Sequence, residues 1–233
     1  HSTSRRQRQM CIRDSIIVVN KDSGEIVQGD KTGDVPLSDI VKEYIREKYN
    51  KPGNVFLGVV HRLDRPVSGV VVFARTSKAL SRLNDMFRNG DVHKTYLALT
   101  AGKPPKPADT LTSWLVRNEK QNKSYCYNHE VPDSKKAVLS YKEAGHTDNY
   151  TLLEVELKTG RHHQIRCQLA SIGCPIKGDL KYGARRSNPD GSISLVSANI
   201  TFVHPVSKQL MSFDAILPVS YTHLRAHETK ANL

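Results

Sequence analysis

The sequence predicts an α+β fold with a mainly antiparallel mixed sheet and few flanking helices. Two observations lead there. Short β-branched or alternating runs recur along the 233 residues, whereas helical periodicity appears only three times, unevenly spaced. The strands also do not alternate regularly with helices, as a parallel sheet built from strand–helix–strand units would require.

Taken in order, IIVVN (16–20) reads as a buried strand. After a polar stretch from Lys21 to Asp34, Pro36 opens a helix with Leu37, Ile40, Val41, Tyr44 and Ile45 on one stripe. KPGN (51–54) ends it, and VFLGVV (55–60) leads to a loop. GVVVFA (69–74) is the next strand. Ser77 is placed as the cap of a second helix with Leu80, Leu83, Met86 and Phe87 on its apolar face, stopped by Asn89-Gly90. Strands follow at 94–100, 111–116, 124–128, 137–144 and 150–157. HQIRCQLASIG (163–173) has helical spacing, and 194–203 with 209–217 close the chain as a hairpin around His204-Pro205.

The two ends read differently. Residues 1–15 and 219–233 show neither period and resemble translated sequencing-adapter DNA, so both are expected to be non-native tails that form no regular element. One domain is expected over 16–218. The formal charge of +12 includes +3 from the first tail and +1 from the second, leaving +8 for the middle. That excess points to a polyanionic partner without naming a reaction. No run of 18 apolar residues is present, so no membrane span is expected, and the polar, arginine-rich start is not expected to act as a secretory signal. The expected compartment is the cytoplasm. The four cysteines lack any CxxC pair and are expected to be reduced thiols.

Three segments carry candidate chemistry. In HRLDRPVSG (61–69), Asp64 is flanked by Arg62 and Arg65. Two cations beside a carboxylate favour its ionised form, suited to a nucleophile or general base acting on a polyanion. The same residues would also suit an Asp that balances charge in a turn. In KTYLAL (94–99), Lys94 and Tyr96 share one strand face, and the Tyr is suited either to stack on a base or to pack in the sheet. In 157–183, Arg161 can reach phosphate oxygens and Arg166 can pair with a carboxylate. His162 and His163 are adjacent, so their side chains do not converge on a helix, and no metal site is expected.

Together HRLDRPVSG, GVVVFART, KTYLAL and TGRHHQIRCQLASIGCPIKGDLKYG, in this order and spacing, resemble the large RNA pseudouridine synthase family with the HRLDxxTSG motif. The resemblance covers roughly residues 16–217. It implies a synthase catalytic fold and isomerisation of uridines in ribosomal or transfer RNA without a cofactor; a monomer is expected. It also implies Asp64 as the catalytic aspartate, Tyr96 as the ring under the target base, and Arg166 as the partner of Asp64. Ile165 would belong to the pocket floor, and Arg62 would help hold the uridine out of its stack. Arg65, Lys94 and Arg161 would complete the RNA contacts. Val67 and His162 stand where the family usually has Thr, and LVSAN (195–199) departs from its usual Leu-His-Ala start. Two rival readings are an RNA-binding module without catalysis and a hydrolase with Asp64 as nucleophile. The second lacks a general acid/base partner in any recognisable motif.

Overall fold

A computed structural model describes residues 10–13, 15–218 and Tyr221, the first four as backbone. It divides into two compact units, one formed by the chain up to Val92 with Asn199–Ile216, the other by His93–Ala198 with the residues from Leu217.

In the first unit, β1 (Met10–Arg13), β2 (Ile16–Lys21) and β4 (Ser68–Ala74) pair antiparallel in that order, and β3 (Gly58–Val59) pairs with β4. The expectation that residues 1–15 form no regular element therefore fails at Met10–Arg13. An unpaired edge of β2 offers backbone donors and acceptors that any extended neighbour can take, whatever its side-chain pattern. Ile16, Val18, Val70, Val72 and Ala74 pack with Ala79 and Leu83 of α2 (Ser77–Asn89). The alternate residues Ile17, Val19, Val71 and Phe73 are fully buried too. Burial on both faces explains why these strands are continuous apolar runs in sequence.

Helix α1 (Leu37–Lys48) buries Leu37, Val41 and Ile45, as its stripe predicts. The cap of α2 is Thr76, not Ser77: its hydroxyl accepts from the Ala79 N–H at 3.1 Å, and Ser77 is the first helical residue. Gly90, at φ 82°, supplies the left-handed residue that ends this helix.

The second unit holds β5 (His93–Ala101), β6 (Ala108–Asn118), β7 (Lys123–Tyr127), β8 (Lys135–His146) and β9 (Tyr150–Leu157), in the antiparallel order β5-β9-β8-β6-β7. Helix α3 (Gln164–Ser171) begins one residue later than the sequence suggests, because His163 sits at φ 52°. The Gln168 amide donates to Ser113 Oγ at 2.7 Å and to the Leu111 and Ala137 carbonyls, sewing α3 to the sheet. The unit boundary falls within β10 (Leu195–Val203), whose later residues pair with β11 (Leu210–Asp214) in the expected hairpin. His204 Nδ1 accepts the N–H of Ser207 at 2.9 Å and so shapes the turn. Among the described residues no helix is long and apolar enough to cross a membrane.

Candidate active site

The loop between β3 and β4 carries Asp64, and its shape is set from outside itself. Leu63 and Val67 are buried on either side of it and act as anchors. Between them the backbone turns, with the Val67 N–H donating to the Asp64 carbonyl at 3.0 Å. The four carbonyls of residues 64–67 are all held by the end of β2 and the residues after it. Lys21 Nζ donates to the Asp64, Arg65 and Val67 carbonyls at 3.3, 3.1 and 2.5 Å. The Gly24 N–H takes Arg65 O at 2.8 Å, and Ser23 Oγ takes Pro66 O at 3.2 Å. Half-buried Asp64 thus stands on a backbone with little freedom.

Lys21 is fully buried, which is rare for lysine. Burial pushes its ammonium down from 10.5 to about 8, while the charges of Glu25, Asp64 and Asp22 work to keep the proton on. Between about pH 8 and 10.5 the unfolded chain keeps the Lys21 proton and the folded chain does not, so folding stability rises with pH across that window. Measured against Lys21→Met, which lacks the group, wild type should gain roughly 3 kcal/mol over it. Denaturant melts of the two proteins at several pH values check this. Parallel stability curves would show that Lys21 titrates as an ordinary lysine.

The two arginines beside Asp64 behave differently from each other. Arg62 is exposed. Arg65 turns to the preceding loop, donating to Asp34 Oδ2 at 2.6 Å and Thr32 Oγ1 at 2.8 Å, with Asp30 at 3.6 Å. The ammonium that shares the Asp64 loop through its carbonyls comes from Lys21, a residue that the sequence pattern places at the start of a polar stretch. His61, opening the motif, accepts the Val72 N–H at 3.0 Å and stacks on Phe87 with ring centroids 4.9 Å apart.

The remaining candidates belong to the second unit. Tyr96 is buried on β5 opposite Val155 of β9. Two residues earlier, burial holds the Lys94 ammonium below its usual range. Its Nζ lies 3.7 Å from where a side chain on Gly160 would begin, an ordinary contact distance. Arg161 is exposed and donates through Nε to the Lys136 carbonyl at 3.0 Å. Ile165 is buried on α3.

Arg166 forms a buried two-pronged pair with Asp179, Nε to Oδ2 at 2.7 Å and Nη2 to Oδ1 at 2.8 Å. Its guanidinium also lies 5.1 Å from the centre of the Tyr182 ring. The Tyr182 hydroxyl accepts the Ser124 N–H at 2.8 Å and shares a hydrogen bond with His163 Nδ1 at 3.0 Å. Burial, then the charge of Arg166, drives His163 down to about 2, so the ring is neutral. His162, the departure from the family's usual Thr, stacks on His163 and hydrogen-bonds Ser124 Oγ at 2.9 Å. The two histidines serve as scaffold around Arg166. Asp179 and Tyr182 belong to the KGDLKYG stretch, whose sequence alone assigns neither of them a role.

The chain falls in a recognised class. Residues 15–171 match the family model for RNA pseudouridylate synthase, and the chain belongs to that family. It is similar to an uncharacterized RNA pseudouridine synthase of Chloroflexus aurantiacus, 38% identical over 167 residues, 71% of this chain and 52% of that protein. It is also similar to the ribosomal large subunit pseudouridine synthase C of Rickettsia bellii, 34% identical over 209 residues, 88% of this chain and 66% of that protein. The chain thus spans about half the length of the first and two thirds of the second. Among solved structures, human RNA pseudouridylate synthase domain containing 4 shares the fold, with a TM-score of 0.75, 22% identity and coverage of 94% of this chain and 92% of that one.

Proposed function

We propose that this protein isomerises specific uridines of structured RNA, ribosomal or transfer, to pseudouridine, with Asp64 as the essential group. The observation that carries the reading is the clamp on the Asp64 loop. A family motif sits on a backbone whose four successive carbonyls are fixed by Lys21, Ser23 and Gly24, so the loop is held through its main chain. The reaction breaks the N1–C1′ bond, turns the uracil and rejoins it through C5, conserving all atoms. Asp64 either adds to C1′ or removes the C2′ proton.

The other roles follow the resemblance. Tyr96 lies under the target base, exposed Arg62 occupies the space the flipped uridine leaves, and Lys94 and Arg161 meet phosphates. Arg166 offsets the cost of ionising Asp64 away from water. Two of its five N–H donors bind Asp179, which fixes the plane of the guanidinium.

The test is pseudouridine content of unmodified ribosomal and transfer RNA transcripts after incubation with the protein, read by nucleoside mass spectrometry. RNA that is bound but unchanged would leave a binding module instead. Tyr96→Phe refines the assignment. Removing the hydroxyl that takes part in C5 deprotonation should lower turnover roughly 10²-fold or more while RNA affinity holds. Near-normal turnover would reduce Tyr96 to a stacking platform.

A further inference from the structure

The second unit holds a cleft of about 780 Å³ that the proposed reaction does not use. Lys177, Arg185 and Arg186 supply its charge, and no Asp or Glu lines it. Among the described residues none of these three cations is ion-paired with a carboxylate. The floor is packed closely against the loop of residues 188–192. Gly178 sits at φ 90°, and a side chain there would meet the Ser192 carbonyl at 2.7 Å. Asn188 holds the arginine-bearing loop to that floor through Ser192 Oγ and Ser194 Oγ, both at 3.2 Å. The frame is tied to β5 by backbone bonds, Ala101 N to Pro175 O at 2.9 Å and Lys177 N to Leu99 O at 2.8 Å.

Three cations over glycine backbone without a carboxylate suit phosphate oxygens. A free nucleotide is less well served. The one lining ring, Tyr150, has the Lys177 ammonium 5.3 Å from its centre, so that face holds a cation where a base would stack. No carboxylate is present to accept from a ribose hydroxyl. Ala101, at the mouth of the cleft, is five residues along β5 from Tyr96, about 17 Å of strand. At about 3.4 Å per nucleotide, the rise of one strand of a DNA duplex, that separation is on the order of five nucleotides.

We propose that this cleft binds the phosphodiester backbone of the substrate RNA on the order of five nucleotides from the target uridine, through Lys177, Arg185 and Arg186. The distance from the target rests on the reading of Tyr96 above, whereas the cleft's affinity for an RNA backbone does not.

The experiment compares wild type with Lys177→Gln/Arg185→Gln/Arg186→Gln, using polyuridylate for binding and unmodified ribosomal RNA transcript for turnover. Arg185→Gln/Arg186→Gln, which leaves Lys177 and the frame beneath it untouched, serves if the triple variant folds poorly. The slope of log affinity against log salt should become shallower by roughly 2 in the triple variant and roughly 1.4 in the double. KM on the transcript should rise with kcat unchanged. Coincident salt slopes overturn the proposal. So does wild-type binding of uridine monophosphate or pyrophosphate that the variants lose while their polyuridylate slopes stay the same, since the cleft would then serve a small anion. If wild type forms no pseudouridine, the enzymatic reading fails, and the polyuridylate slopes still decide the cleft.

Discussion

Asp64→Asn is expected to bind RNA as tightly as wild type, or slightly more tightly, and to form no detectable pseudouridine even at stoichiometric enzyme. The substitution is nearly isosteric, and the contacts that shape this loop run to carbonyl oxygens of residues 64–67. Neither Lys21 nor Ser23 needs the carboxylate to hold the loop in place. The fold and the basic groups therefore persist, and loss of one negative charge near a polyanion reduces repulsion. An amide can supply no anionic oxygen, whether the step is attack at C1′ or removal of the C2′ proton. Loss of a positioned base costs roughly 10²–10⁴-fold by itself, and loss of a nucleophile leaves no alternative route. Asp34→Asn is the matched control. It removes the charge of one of the partners of Arg65 in an exposed loop and should leave turnover within a few-fold. Product at wild-type levels from the Asp64→Asn variant would overturn the assignment of Asp64 and, with it, the enzyme class.

What sequence could reveal follows the range of the interactions concerned. β2, β4 and β9 were readable because burial imposes an apolar pattern on consecutive residues. The limits of β9 agree at both ends, whereas β6 and β8 run several residues beyond their apolar cores into solvated positions. Thr76 and Ser77 are both able to cap, and only the backbone turn selects Thr76. The motif locates Asp64, but its electrostatic setting is not the one its neighbours in sequence suggest. Arg65 is adjacent in sequence yet commits its guanidinium to Asp34, thirty-one positions away. Lys21 fills the place of the organising cation. A lysine ending a strand reads as solvated by default, and its carbonyl partners lie 43 to 46 positions on. Asp179 was unreadable as a partner of Arg166 for the same reason, because a loop separates the two.

That pair carries the largest expected effect on stability. The Arg166 and Asp179 side chains are 6% and 1% exposed, so both charges have been taken out of water and each offsets the other's desolvation. Asp179→Asn keeps the shape but turns an acceptor into an amide N–H facing a guanidinium N–H, and it removes the anion. Breaking a buried pair from one side costs about 3–5 kcal/mol. The variant should show that loss in denaturant melts, and its turnover should fall because the plane of the guanidinium is no longer fixed. The double variant Arg166→Met/Asp179→Leu separates the two consequences. Apolar groups of similar volume need no partner, so most of the lost stability should return, as replacement of buried ion pairs often allows. Pseudouridine formation should remain absent, because the proposed partner of Asp64 is gone. An Asp179→Asn protein as stable as wild type would mean that Arg166 does not need the Asp179 charge to offset its burial. Recovery of turnover together with stability in the double variant would show that Arg166 serves the fold and not the reaction.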